Sequence, residues 1–148
     1  MNSRNMKLSE LRNRKKINFN LHEDHRGNLF ALNATQIPFN IKRVFTVYNV
    51  PNGETRGYHA HHKTTQFLVC LSGRLEIKLI DLSGYELNVI LDPGTAIREF
   101  QYEWAEITFF ENAILQTICS TEHDENDYIR DIDEFKRIGN VQSINDVI

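Results

Sequence analysis

Short β-forming runs broken by turn residues at intervals of about ten positions constrain this chain more than any other feature. "GNLFALN" follows Arg26. "IKRVFTVYNV" is rich in β-branched and aromatic residues and stops at "PNG" (51–53). "QFLVCL" runs into "SG" (72–73), "RLEIKLIDL" into a second "SG" (83–84), and "ELNVIL" ends at "DPG" (92–94). "AEITFF" and "AILQTICS" follow. This rhythm predicts an all-β sandwich or barrel. Within "RLEIKLI", Leu75, Ile77 and Leu79 face one way while Glu76 and Lys78 face the other, so one face is core and one is polar. Only "DENDYIRDIDEFKRIG" (124–139) reads as a helix, with acids early, bases late and Gly139 at its stop. The expected organisation is a basic tail over 1–16, one domain over 17–138 and a tail over 139–148.

Composition narrows the function classes. The 148 residues fit one domain, and 41% hydrophobic content is ample for a core. No run of eighteen apolar residues exists, so no membrane span is expected. Residues 1–16 lack the apolar centre of a secretion signal, which makes the cytoplasm the expected compartment. Cys70 and Cys119 lie in apolar runs without CxxC spacing and read as buried, reduced thiols. A net charge of −3 gives no general attraction to nucleic acid. Residues 1–16 are locally basic (Arg4, Lys7, Arg12, Arg14, Lys15 and Lys16 against Glu10), which fits a solvated terminus, with phosphate contact as the alternative.

The chemistry concentrates in "GYHAHHKTTQ", Gly57 to Gln66. On a strand His59 and His61 share a face, and His62 points away with Ala60 and Tyr58. Two histidines side by side suit metal ligation or proton transfer. Gly53, His59, His61, Gln66 and Gly73 keep the spacing of the first cupin signature, G-x5-H-x-H-x4-E-x6-G, with Gln66 where the glutamate stands. The fold expectation sharpens to a cupin jelly roll (double-stranded β-helix) with a short C-terminal helix. An amide is a poor ligand for a divalent transition metal. The second cupin motif should place a histidine near Trp104–Glu106, and "EWAEITFF" has none. Proton transfer without metal is therefore the favoured reading, since an imidazole with pKa of about 6.5 exchanges protons near neutrality.

The block "RGYHAHHKTTQFLVCLSG" resembles the cupin sugar 3,4-ketoisomerases of nucleotide-deoxysugar biosynthesis, as do "DHRGNLFAL", "IPFNIKRVF" and "DENDYIRDIDEF". The resemblance implies isomerisation of dTDP-4-keto-6-deoxyglucose to a 3-keto sugar, on the way to 3-amino-3,6-dideoxyhexoses of bacterial surface glycans. It implies no cofactor or metal, and a homodimer with N-terminal strand exchange. It makes His59 and His61 the catalytic pair, His61 as the carbon base and His59 at the sugar oxygens. Arg43 and Arg56 become candidates for the pyrophosphate or an enediolate. Arg26, Tyr48, Gln66, Trp104 and Glu106 become candidate pocket residues, Glu106 as the group that fixes a histidine tautomer. Ala105 stands where relatives carry histidine or arginine, and Thr46 where tyrosine is common. A 3,5-epimerase would pair histidine with aspartate and add a tyrosine acid, which the "HAHHK" block does not contain. A non-catalytic or metal-binding cupin is the remaining alternative.

Overall fold

The apolar runs on either side of "SG" at 72–73 belong to one strand. The computed structural model describes residues 12–147, with side chains described through residue 142. Its strands are β1 (Ile17–Asn18), β2 (His22–Asp24), β3 (Gly27–Leu29), β4 (Arg43–Val47), β5 (Thr55–His61), β6 (Gln66–Ile80), β7 (Glu86–Leu91), β8 (Thr95–Glu99), β9 (Trp104–Cys119) and β10 (Tyr128–Ile129), followed by a helix, α1 (Ile132–Val147). β6 and β9 pair antiparallel along their length and bend together in the middle. The bend falls where Gly73 (φ +72°) meets Glu111 and Asn112, both at positive φ. A Cβ on Gly73 would lie 2.5 Å from the Ala113 Cα, so the two backbones can cross only at glycine.

The bent ribbon serves two sheets. Gln66–Cys70 and Leu115–Cys119 join β8, β1 and β4 in the first. Leu75–Ile80 and Trp104–Phe109 join β7 and β5 in the second, and β10 extends β5. This antiparallel sandwich is the expected jelly roll. Leu68, Cys70, Leu75, Ile77, Leu79, Ile97, Ile107, Phe109 and Leu115 fill the space between the sheets. Each large side chain buried there stabilises the fold by about 1.5–3 kcal/mol. Phe19, Ile37, Phe67, Val69 and Ile118 cover the outer side of the first sheet. Ala60, Trp104, Ile129 and Phe135 pack between the second sheet and α1.

The C-terminal segment departs from expectation. Residues 124–131 form a 3₁₀ turn and β10, and α1 begins only at Ile132. It continues past Gly139 to Val147. Gly139 is therefore no helix stop. A Cβ there would overlap the Leu82 carbonyl, so glycine lets α1 lie against the chain after β6. The basic stretch also has an internal role where it is described. Arg14 forms a bidentate ion pair with buried Glu103, and Arg12 bonds Ser83 and lies over Tyr85. Arg4 and Lys7 lie outside the described residues. No described helix is long and apolar enough to cross a membrane.

Candidate active site

The site is built on a bulge in β5. Thr55 pairs with Thr108 on the outer face, and Arg56 lies opposite Ile107, a residue of the inner core. The register then shifts between Gly57 and His59. Gly57 (φ +103°) and Tyr58 (φ +57°) absorb the extra residue, and a Cβ on Gly57 would sit 2.6 Å from the Ala105 carbonyl oxygen. His59 arrives opposite Ala105, facing inward. Arg56 and His59, three apart, thus share a face that simple alternation would deny them.

His59 and His61 meet edge to face with ring centroids 5.1 Å apart. β10 pairs Tyr128 with His61, and this register sets the phenol 5.0 Å from the His59 ring and 4.6 Å from the His61 ring. His61 is 4% exposed. Its Nδ1 lies 3.1 Å from Oδ2 of Asp127. Asp127 also accepts from the Thr64 hydroxyl and, at 2.6 Å, from the Lys63 amide. Burial works against the Asp127 charge, but these hydrogen bonds and His61 win and hold its carboxyl below the ordinary value. A carboxylate only accepts, so His61 carries its proton on Nδ1 and leaves a lone pair on Nε2. That Nε2 is buried and has no protein partner. Burial, with the neighbouring His59, pushes the His61 pKa down to about 4. His59 repeats the pattern more weakly. Its Nδ1 donates to the Gly57 carbonyl at 3.0 Å, freeing Nε2, and burial lowers its pKa. Both imidazoles are neutral at pH 7 and ready to accept protons.

Arg43 faces inward from β4, and its Nη1 donates to Nδ1 of His123 at 3.2 Å. His123 in turn stands 5.6 Å from the Tyr128 ring. Arg130 lies over that ring at 4.3 Å and pairs with Glu125. Among the described residues no group of three or more His, Cys, Asp or Glu side chains has metal-holding geometry.

The FdtA (WxcM-like, C-terminal) family model matches residues 12–140. The chain belongs to this family. It is 36% identical over 125 residues to the TDP-4-oxo-6-deoxy-alpha-D-glucose-3,4-oxoisomerase of Aneurinibacillus thermoaerophilus, covering 83% of this chain and 90% of that protein. A 3,4-ketoisomerase from Helicobacter canadensis superposes with a TM-score of 0.76 at 37% identity, over 85% of this chain and 96% of that one. A histidine-to-asparagine variant of the 3,4-ketoisomerase QdtA from Thermoanaerobacterium thermosaccharolyticum, solved with TDP-4-keto-6-deoxyglucose, gives 0.76 at 33% identity, over 84% and 92%. The chain is a sugar-nucleotide 3,4-ketoisomerase and has the cupin-like fold of these relatives.

For this family member, the fold brings some expected residues together and separates others. His59, His61 and Arg43 all point between the sheets, while Arg56 shares their face by register but is exposed. Gln66 also points between the sheets, and it bonds Glu99 rather than a histidine. Glu106 differs from its expected role. It lies opposite Gly57 on the outer face, 3.3 Å from Lys78, and the carboxylate on His61 is Asp127. Glu106 lines an outer groove of about 580 Å³ with Thr55, Tyr58, Lys78 and Asn88, away from the histidines. Trp104 packs on Ala60 and Phe135 beneath α1, as core. Tyr48 is 62% exposed, beyond the end of β4, and Thr46 is exposed on the outward face of that strand. Arg26 is exposed in the β2–β3 hairpin and pairs with Asp24. His62 turns away, as expected, toward the Tyr102 hydroxyl.

Sequence reasoning missed Asp127, Tyr128, Thr64 and His123. The Asp-Tyr-Ile-Arg block was legible as a family feature, but its helical reading hid the strand that delivers it. The Asp127–His61 contact also supplies the histidine–aspartate pairing whose absence from "HAHHK" had argued against an epimerase. Family membership, not that absence, separates the two activities.

Proposed function

We propose that this 3,4-ketoisomerase acts on TDP-4-keto-6-deoxyglucose and moves its carbonyl from C4 to C3 through an enediol, supplying a 3-keto sugar for later amination. The observation that carries the mechanism is the bare, buried Nε2 of His61, with Asp127 fixing the opposite nitrogen. His61 takes the C3 proton as the C4 oxygen gains one, giving the enediol. Return of a proton to C4, with loss of the O3 proton, completes the shift. His59 moves the proton between the two oxygens from its own free Nε2. Arg43, whose charge acts on His61, and the exposed Arg56 on the same strand face as His59 stabilise the enediolate or the pyrophosphate. Ala105, directly opposite His59, borders the sugar and leaves room where relatives carry a larger side chain.

The test is His61→Asn and His59→Asn in steady-state turnover. Loss of a general base should cost His61→Asn on the order of 10²–10⁴-fold in kcat. A folded His61→Asn protein with full turnover would refute the base assignment.

A homodimer with exchanged N-terminal strands belongs to the same proposal. β1 lies on β8 through two residue pairs, Ile17 with Ala96 and Asn18 with Thr95, a register that two chains can share. Light scattering giving a monomer mass would exclude it. Cytoplasmic residence is also part of the proposal, and the unpaired, buried thiols of Cys70 and Cys119 support it. Fractionation of the native host would check it.

A further inference from the structure

The carboxylate beside His61 is shared. Oδ2 of Asp127 faces both Nδ1 of His61, at 3.1 Å, and the Thr64 hydroxyl, which lies closer. Thr64 is 5% exposed, in the loop between β5 and β6. Its Oγ1 also meets the Thr121 hydroxyl at 2.6 Å, on the segment that leaves β9. The direction of this chain is forced. A carboxylate only accepts, so the single Thr64 hydroxyl hydrogen goes to Asp127, and Thr121 donates to Thr64. Two hydroxyls in series, polarised toward one oxygen, strengthen each other. The frame around them depends on neither hydroxyl. The Ser120 amide donates to the Thr65 carbonyl and the Thr65 amide to the Ser120 hydroxyl, each at 3.0 Å. Asp127 is held independently by the Lys63 amide on Oδ1, at 2.6 Å, and by the His62 amide on its backbone carbonyl, at 2.9 Å. The proton steps themselves use neither threonine.

We propose that Thr64 is a positioning residue of this site: its hydroxyl, backed by Thr121, occupies part of Oδ2 of Asp127 and so limits how tightly that carboxylate holds a proton on His61. The proposal rests on His61 as the base of the ketoisomerase reaction. An undivided carboxylate would draw the Nδ1 proton strongly and favour the imidazolium, and a base that is already protonated accepts nothing from C3. No carboxylate at all would leave the tautomer free. Sharing Oδ2 fixes the tautomer and keeps the imidazole neutral. The other groups facing His61 act around this contact. Burial has the largest influence and lowers its pKa; His59 on β5 and Arg43 on β4 lower it further, and Asp127 raises it. Tyr128 on β10 lies against its ring. The Thr64 hydrogen bond stabilises the Asp127 charge, so it works on the neighbour that raises His61.

The test removes the hydroxyl and keeps the shape. Thr64→Val leaves Oδ2 to His61, and Thr64→Ser restores the donor. In substrate-free enzyme with nitrogen-15 histidine, the Nδ1 proton of His61 is assigned by its loss in His61→Asn. Its resonance should move downfield in Thr64→Val and return to the wild-type position in Thr64→Ser. The His61 pKa, followed by the ring nitrogen shifts, should rise by about one pH unit in Thr64→Val, a tenfold gain in proton affinity. The acid limb of kcat/KM should rise with it. A resonance and pKa that stay put or fall in Thr64→Val, or that move equally in Thr64→Ser, would overturn the proposal. If Thr64→Val does not fold, Thr121→Val decides. It removes the donor behind Thr64 and should move the resonance the same way by a smaller step, and an unmoved resonance there would overturn the proposal too. The NMR readout needs no turnover. It is therefore separate from the base assignment, which fails if folded His61→Asn keeps full turnover.

Discussion

His61 is poised by what surrounds it. Asp127 fixes its tautomer, burial keeps it neutral, and Tyr128 covers its ring. Asp127→Asn removes the charge that raises the His61 pKa, so the acid limb of kcat/KM should move to lower pH while kcat falls by on the order of 10²-fold. A pH–rate profile that keeps its acid limb unmoved would mean that Asp127 acts only through structure. At this scale the sequence was half legible. The spacing of His59 and His61 from Gly53 to Gly73 exposed the pair, because side-chain alternation on one strand is local. Asp127 and His123 lie more than sixty residues from His59 and His61, and only tertiary pairing brings them in. Glu106 misled for a related reason: beside Trp104 in sequence, it faces the outer side of the sheet.

Bulges and bends, more than the strands themselves, decide where side chains arrive. Strict alternation sends Arg56 outward; the Gly57–Tyr58 bulge keeps it on the histidine face. Gly57→Ala must place its Cβ 2.6 Å from the Ala105 oxygen at a φ of +103°. Such strain costs about 1–3 kcal/mol or shifts the bulge. The melting temperature should drop by several degrees, and turnover should fall further than the stability loss explains, because His59 moves with the bulge. Wild-type kcat/KM in Gly57→Ala would contradict this. The turn signal at Ser72–Gly73 is likewise no strand end. Glycine marks a bend within β6 there, and nothing in the dipeptide separates a bend from a hairpin. Gly139 carried an equally ambiguous signal, a close contact in place of a helix stop.

Across the molecule, hydrophobic periodicity made the sandwich legible: the alternating runs became the inner faces of two sheets. The interior they enclose also holds two titratable groups that oppose each other. His61 has a native pKa of about 4 against about 6.5 unfolded, so the unfolded state binds more protons in that window and stability falls as pH drops through it. Glu99, raised to about 8 in the fold, loses stability as pH rises from about 4.5 toward 8. Denaturation of wild type alone would mix the two. Comparison with His61→Asn isolates the histidine: from pH 7 to pH 4 the wild type should lose on the order of 3 kcal/mol more than the variant. Equal losses would mean that His61 is not held neutral by the fold. The central claim, carbonyl transfer between C4 and C3 on TDP-4-keto-6-deoxyglucose, is tested most directly by a proton NMR time course in D₂O. The account predicts that the carbonyl moves to C3 and that deuterium enters at C4, whose couplings then report the configuration set beside Ala105. Deuterium at C3 and C5 with the carbonyl still at C4 would contradict it and assign the His61–Asp127 pair to epimerisation.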